Sequence, residues 1–127
     1  MAKRCRAFRM DDPKEAAKHI EQNWEQMEGY GDSRYGNELY VWDDGGRSLG
    51  RCRECGAFIL RQYSSYHGME SDGHYTDFFP VADAAEADGL NRRYDGYAIE
   101  RHFPRRYLME TNGNYSWSSH AIEGLET

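Results

Sequence analysis

Residues 48–66, SLGRCRECGAFILRQYSSY, contain two strand patterns joined by a tight Cys-x-x-Cys-Gly corner. The first pattern covers residues 48–52 and the second covers residues 57–66. Because few residues separate them, and because Gly56 suits the backbone of a tight turn, the chain is expected to reverse here and pair with itself. This stretch predicts the centre of an antiparallel sheet.

Further strand patterns lie on both sides of this centre. They cover residues 3–10, 38–42, 75–79, 97–103, 105–111 and 115–118. Asn112-Gly113 separates the last two, and Asn-Gly between two strand patterns is a strong hairpin signal. DDGG, residues 43–46, predicts the turn that leads into Ser48. The strands should therefore follow one another as a meander of hairpins.

Two segments predict helices. DPKE, residues 12–15, combines an N-cap, a proline at the first helical position and a capping-box glutamate, and apolar residues then recur at helical spacing as far as Met27. DAAE, residues 83–86, repeats the capping box before a shorter stripe that Gly96 ends. The predicted order is β-α-β-β-β-β-α-β-β-β. It favours one α+β domain over residues 1–127, in which an antiparallel sheet of about six to eight strands carries both helices on one face.

The composition predicts a core built from aromatic rings. The chain has 127 residues and a mean hydropathy of −0.99, which is low for a folded domain. Aromatic residues nevertheless make up 14% of the chain, whereas disordered chains contain few. Each ring buries on the order of 150–250 Å². The aromatic residues can therefore supply the core that other apolar residues do not.

Charge and hydropathy narrow the classes of partner. The formal net charge is −6, which opposes long-range attraction to the phosphates of nucleic acids. The longest apolar run is Ala57 to Leu60, far too short to span a membrane or to form the hydrophobic region of a signal peptide. We therefore expect a cytoplasmic protein that does not associate with membranes.

Residues 52–56, CRECG, have the pattern of a metal-binding knuckle. Two thiolates at this spacing, followed by glycine at a tight turn, can hold one half of a tetrahedral site, and the flanking arginines favour the thiolate form. The segment resembles one knuckle of a zinc ribbon, which implies a structural zinc ion bound by Cys52 and Cys55. A zinc ribbon has a second Cys-x-x-Cys, whereas this chain has only one further cysteine, Cys5.

The other two zinc ligands must come from elsewhere in the chain. His67 and His74 are the predicted pair, because they flank the loop after the strand that leaves the knuckle, and a hairpin return would bring one of them back. Cys5 is the next choice, and the remaining imidazoles belong to His19, His102 and His120. Two alternatives stay open. The thiols could be reduced cysteines at an ordinary turn, or a redox pair, although redox Cys-x-x-Cys motifs begin a helix and this one precedes a strand.

An acidic segment predicts a surface for a protein partner. Between His67 and Leu90 there are six acidic residues and no lysine or arginine. Aromatic residues accompany them, so this side could dock on a basic protein surface, as acidic phosphate mimics do when they inhibit nucleic-acid enzymes. The residues assigned to this surface are Glu70, Asp72, Asp77, Tyr66 and Tyr75.

Two Arg-Arg-Tyr triplets support a second interpretation. Guanidinium groups and aromatic rings together bind phosphates and unstacked bases. The arginines concerned are Arg92, Arg93, Arg105 and Arg106. They predict, as the alternative function, a small nucleotide- or RNA-binding domain.

Motifs of known enzyme classes are scarce. His74 and Asp77 could serve as base and orienting carboxylate of a hydrolase, which is the third interpretation, but two strand residues at this spacing point to opposite faces. No G-x-S-x-G or H-E-x-x-H motif accompanies them. The sequence therefore favours a non-enzymatic, acidic binding or regulatory protein with a zinc knuckle. The abundance of aromatic residues leaves self-association open.

Overall fold

The computed structural model describes residues 4–30, 42–67, 72–94 and 96–118. A 3₁₀ helix at Arg6–Arg9 comes first. The α-helices are α1 (Pro13–Gln22), α2 (Ala84–Arg93) and α3 (Gly96–His102). The strands are β1 (Trp24–Gly29), β2 (Trp42–Cys52), β3 (Phe58–His67), β4 (Asp72–Val81), β5 (Leu108–Thr111) and β6 (Asn114–Trp117).

The six strands form one antiparallel sheet in which spatial order follows chain order, from β1 to β6. The sequence 48–66 lies at its centre, as predicted: Leu49 of β2 pairs with Leu60 of β3, which pairs with Phe79 of β4. The predicted α+β class and antiparallel meander are therefore confirmed. Every neighbouring pair is antiparallel, so the sheet needs no crossover connection, although α2 and α3 lie in the chain between β4 and β5.

The helices cover both faces of the sheet, not one face as expected. On one face, Ile59 and Phe78 pack with Ala16 and Ile20 of α1. The opposite face is covered by α2 and α3, and its buried side chains include Leu49, Leu60, Phe79, Ala87, Leu90, Ile99 and Phe103. The physical reason lies in β3 and β4, where consecutive apolar residues point to opposite faces and must be buried on both sides.

Both predicted helix starts are confirmed. The side chain of Asp12 accepts a hydrogen bond from the backbone N–H of Lys14 at 2.9 Å, and Pro13 is the first residue of α1. Asp83 caps α2 by accepting from the backbone N–H of Glu86 at 2.8 Å. Each cap satisfies a backbone donor that the helix itself leaves unpaired.

Two predicted elements near the N-terminus are wrong. Residues 3–10 were expected to form a strand, but the 3₁₀ helix lies there. Its adjacent residues Ala7 and Phe8 are both buried, whereas adjacent residues of a half-exposed strand would point to opposite faces. The predicted first helix was expected to reach Met27. It ends at Gln22, and Trp24 begins β1 instead, where it pairs with Cys52.

Two further segments also differ from prediction. The expected turn at residues 43–46 falls within β2, and Gly45 and Gly46 pair with residues of β3. Residues 97–103 were expected to form a strand but contain α3. Ile99 and Phe103 are both buried, and the backbone N–H of Phe103 donates to the carbonyl of Ile99, which is helical spacing. Of the expected strand at residues 38–42, only Trp42 lies within the described residues.

The hairpin between β5 and β6 turns at Asn112 and Gly113, as predicted. Both residues have positive φ, 49° and 88°, as a two-residue turn of this kind requires. The Asn112 side chain also accepts a hydrogen bond from the backbone N–H of His74 on β4. The turn is therefore tied to the neighbouring strand.

The helices of the described ranges are short. None is long and apolar enough to cross a membrane.

Candidate metal centre

Three cysteines meet beside the corner between β2 and β3. The sulfur atoms of Cys5, Cys52 and Cys55 all lie within 4.8 Å of one another. Cys5 and Cys52 are buried, each with 1% of its surface exposed, and Cys55 is half-buried. Sulfur atoms from two distant parts of the chain therefore form one compact cluster.

The knuckle itself is held by backbone hydrogen bonds. The N–H of Gly56 donates to the carbonyl of Cys52 at 2.7 Å, and the N–H of Cys52 donates to the carbonyl of Ala57 at 2.9 Å. Gly56 has φ of +81°, in the left-handed region that side chains other than glycine rarely adopt. The glycine therefore allows the turn to close tightly enough to place both thiols on the same side.

Cys5 reaches the cluster because the 3₁₀ helix that follows it is anchored in the core. The backbone N–H of Phe8 donates to the carbonyl of Cys5 at 3.0 Å, and the side chains of Ala7 and Phe8 are buried beside Ile59 and Phe78. The apolar anchor fixes the position of the preceding residue. Cys5 is thus held against the knuckle by packing as well as by its own contacts.

His19, in the last turn of α1, lies against the same cluster. Its Nε2 is 3.8 Å from Sγ of Cys52 and 3.3 Å from Oε1 of Glu54. Its Nδ1 faces Nη2 of Arg6 at 3.4 Å and Nδ2 of Asn23 at 3.5 Å. Only 10% of the imidazole side chain is exposed. A nearly buried imidazole therefore borders the sulfur of Cys52.

Polar contacts connect the three segments that meet here. The backbone N–H of Arg53 in the knuckle donates to the carbonyl of Asn23 at the end of α1, at 2.8 Å. Nε of Arg6 donates to Oε1 of Glu54 at 2.7 Å, and the two side chains are 52% and 44% exposed. Exposed ion pairs add little stability. The pair of Arg6 and Glu54 instead helps to align the 3₁₀ helix with the knuckle.

Burial changes the acid–base properties of the cluster. Burial, opposed by the backbone amide of Ala7 and assisted by the neighbouring Cys52 and Cys55, raises the pKa of the Cys5 thiol to about 12. The hydrogen bond from Arg6 holds the pKa of Glu54 below its ordinary value. The raised pKa favours the neutral thiol of Cys5. A divalent cation reverses this preference, since a coordinated thiol is deprotonated.

The structure does not bring His67 or His74 to the cysteines. His67 ends β3 opposite Asp72, whereas Phe58 at the start of β3 lies beside the knuckle. Nine steps along a strand span roughly 30 Å. His74 pairs with Ser65 near the same far end, and its Nε2 lies 3.1 Å from Oε2 of Glu110. β4 does return antiparallel to β3, as predicted, but both histidines lie at the end of this hairpin that is far from the knuckle.

The sequence contained a weak signal for the residues that do meet the knuckle. His19 lies three positions after Ala16 and one before Ile20, both buried, so it borders the apolar stripe of α1. Cys5 lies two positions before Ala7, the first of the buried pair Ala7 and Phe8. Both residues therefore flank core-facing positions, although only the packing of these segments on the sheet reveals that they converge.

The proposed acidic docking surface loses two of its members to the interior. Asp77 is 1% exposed, and its Oδ2 accepts a hydrogen bond from Nε2 of Gln62 at 3.0 Å. Tyr75 is also buried, at 9%. Glu70 and the side chains of Asp72 and Tyr66 lie outside the described residues. Asp77 and Tyr75 are thus core residues, because their positions on β4 share a face with Phe79, which packs against α2 and α3.

The four arginines of the Arg-Arg-Tyr triplets are engaged within the protein. Arg92 pairs with Asp88, and the guanidinium of Arg93 lies 5.8 Å from the centre of the Tyr94 ring. These two arginines lie in the last turn of α2. The Arg92 side chain is nevertheless 71% exposed, so the nucleotide-binding interpretation stays a prediction.

The second triplet lies elsewhere. Nη2 of Arg105 donates to Oε1 of Glu86 at 2.7 Å, at the opposite end of α2. Nη2 of Arg106 donates to the carbonyl of Met10 at 3.2 Å, and its guanidinium lies 3.9 Å from the centre of the Trp117 ring. The structure therefore does not combine the two triplets into one basic surface.

Comparison with known protein families, curated proteins and solved structures gives no match.

Proposed function

We propose that this chain is a zinc-binding protein in which Cys5, Cys52 and Cys55 hold a structural metal ion. The observation that carries the proposal is the convergence of the three sulfurs within 4.8 Å. Thiolates bound to one zinc ion at about 2.3 Å in a tetrahedral arrangement are separated by about 3.8 Å. A small contraction of the cluster therefore reaches the distances that zinc requires.

Thiolate chemistry favours zinc over the harder cations. Magnesium and calcium prefer oxygen ligands, whereas three sulfurs select zinc or another soft metal. A disulfide would use only two of the three thiols and would leave the third beside it. The knuckle turn, closed by Gly56, is also the local geometry that thiolate zinc sites employ.

The arrangement suits a structural ion better than a catalytic one. A catalytic zinc keeps an open position for water or substrate, whereas structural sites are closed. Cys5 and Cys52 are each 1% exposed, and His19 covers the side of Cys52. This supports a structural role for the ion, and the non-enzymatic role of the protein stays a prediction. A role in binding a protein partner remains a prediction, and it needs a surface other than Asp77 and Tyr75.

The metal would fasten the N-terminal segment to the sheet. Cys5 precedes the 3₁₀ helix, and Cys52 and Cys55 belong to the β2–β3 corner. Metal binding to folded ligands contributes directly to the free energy of folding. The ion would therefore act as a cross-link that closes the loop between residues 5 and 52.

The test is the metal content of protein purified in reducing buffer, compared with that of Cys5→Ser and Cys52→Ser. We expect about one zinc per chain in the unmodified protein and a loss of bound zinc in both variants. His74→Ala is the matched control, because this imidazole lies on β4 beside Glu110, away from the cluster. Its zinc content should be unchanged. Unmodified protein that contains no metal and takes up none on titration with zinc contradicts the proposal.

A further inference from the structure

We infer that His19 is the fourth ligand, through Nε2, so that the centre is a closed Cys₃His zinc site joining α1 to the sheet. This inference rests on the proposed function and identifies the group that completes the site. Three sulfurs leave one corner of a tetrahedron vacant. Two side chains are candidates for that corner: His19, which contacts Cys52, and Glu54, which contacts His19.

Distance places His19 at the corner. At bond lengths of about 2.3 Å to sulfur and about 2.0 Å to nitrogen, a tetrahedral site separates the two ligand atoms by about 3.6 Å. Nε2 of His19 lies 3.8 Å from Sγ of Cys52. The imidazole therefore already lies at the correct separation from one sulfur. It is outside the group of atoms that lie within 4.8 Å of one another, so it must move toward the other sulfurs to complete the site.

Burial fixes the imidazole independently of any ion. His19 lies between Ala16 and Ile20 on α1, and each of these neighbours is fully buried at 0% exposure. The packing of α1 on the sheet therefore sets the position of His19. A ligand that folding has already positioned loses little conformational entropy when the metal binds.

Glu54 is the weaker candidate because its carboxylate is already committed. Oε1 accepts from Nε of Arg6 at 2.7 Å, Oε2 faces Nη2 of the same arginine at 3.3 Å, and the side chain is 44% exposed. Charge also argues against it. Zn²⁺ with three thiolates and a neutral imidazole has a net charge of −1, whereas a carboxylate would make it −2, which is costlier to bury.

The hydrogen bonds of His19 define what must change on binding. Arg6 and Asn23 present N–H groups to Nδ1, so Nδ1 accepts and the ring proton lies on Nε2, directed to Glu54. Coordination through Nε2 moves that proton to Nδ1. Arg6 and Asn23 must then turn their N–H groups away from Nδ1.

Cobalt substitution tests the inference, because Co²⁺ reports the number of thiolates and the geometry through its visible and near-ultraviolet spectrum. The full chain would be loaded with Co²⁺ alone. The variants are His19→Cys and His19→Ala, and Glu54→Gln is the matched control. We expect a tetrahedral spectrum with three thiolates for the unmodified protein and for Glu54→Gln.

The two His19 variants should differ in opposite ways. His19→Cys adds a thiolate, so the sulfur-to-cobalt charge-transfer absorbance should rise by about one third, from three sulfurs to four. His19→Ala admits water and should lower zinc affinity by at least about tenfold, since even outer partners of ligands are worth that much. Far-ultraviolet circular dichroism checks that both variants fold. If His19→Ala does not fold, His19→Cys still tests the inference.

The outcomes separate the inference from the proposed function. If cobalt binds with three thiolates but its spectrum is the same in both His19 variants and changes in Glu54→Gln, the inference is overturned while the three-cysteine site stands. If the unmodified protein binds no cobalt, the proposed function fails and the inference fails with it. Spectral changes confined to the His19 variants support both.

Discussion

Nε2 of His19 lies 3.8 Å from Sγ of Cys52, although 33 positions separate the two residues in the chain. One belongs to α1 and the other to the end of β2. The contact exists because α1 packs its apolar stripe on the sheet beside the knuckle. Whatever strengthens or weakens the metal centre should therefore also change how firmly the N-terminal segment is docked.

Removal of the metal should loosen the segment from Cys5 to Gln22. A cross-link that closes a loop of the size between Cys5 and Cys52 is worth about 4 kcal/mol in the chain-entropy description. We therefore expect a chelator to lower the free energy of unfolding by an amount of that order. Urea unfolding with and without the chelator measures it. Equal unfolding midpoints in the two conditions would exclude a structural role for the ion.

The same loosening should be visible residue by residue. Hydrogen exchange at Ala7, Phe8 and Ile20 should accelerate on chelation more than exchange at Leu108, which lies in β5. Uniform acceleration at all four positions would indicate that the ion stabilises the fold globally, with no particular coupling to the N-terminal segment.

Gly56→Ala should weaken metal binding as well as stability. Gly56 has φ of +81°, and a side chain there is strained by about 1–2 kcal/mol although nothing lies within 4 Å of its added Cβ. Gly113→Ala is a matched control, because Gly113 has φ of +88° and equally open surroundings but belongs to the β5–β6 turn. In the metal-free state both variants should lose similar stability. Only Gly56→Ala should lower zinc affinity, as measured by competition with a metal indicator.

Gly50→Ala should destabilise the protein through a contact with Trp24. A Cβ at Gly50 would lie 2.3 Å from the indole ring, so the ring must move off the sheet. Overpacking of this kind costs about 1–3 kcal/mol. In a Trp24→Ala background the same substitution should cost far less, since the obstacle is gone. A double-mutant cycle from urea unfolding measures the coupling, and additive effects would show that the ring does not depend on Gly50.

Asp77→Asn should change how stability depends on pH. Burial, followed by the contact with Glu100, raises the pKa of Asp77 well above its ordinary value of 3.8, against the opposing effects of Gln62 and Arg47. Because the folded protein holds this proton more tightly than the unfolded chain, the stabilisation is complete below pH 3.8 and is lost as pH rises through the raised pKa. Wild-type protein should therefore lose stability relative to Asp77→Asn as pH increases.

Urea midpoints of the two proteins between about pH 4 and about pH 8 test this expectation. Both proteins keep the metal ligands, so any effect of pH on the metal cancels in the difference. A constant difference across the range would mean that Asp77 titrates alike in the folded and unfolded states.

The sheet could be predicted because its signals are local. The strand patterns before and after Gly56, and the Asn112-Gly113 turn, each need only neighbouring residues to be interpreted, and both hairpins are observed. The placement of helices could not be predicted in the same way. Ile59 and Leu60 are both fully buried, so β3 needs cover on both faces, and local spacing does not show which helix supplies which face.

In the metal centre, too, some ligands have a local signal in the sequence and others depend on long-range packing. Cys52 and Cys55 are visible as a pair because three positions and a glycine define a knuckle. Cys5 and His19 depend on long-range packing of the 3₁₀ helix and α1. His67 and His74 had better spacing in sequence, but the length of the β3–β4 hairpin carries them to the far end of the sheet. The length of this hairpin, which is set by pairing along the whole of β3 and β4, therefore separates both histidines from the knuckle.

The most direct test of the account is zinc-edge X-ray absorption of the zinc-loaded protein, because it counts the atoms bound to the ion. We predict three sulfur atoms at about 2.3 Å and one nitrogen atom at about 2.0 Å. A first shell made of oxygen and nitrogen without sulfur would contradict the account.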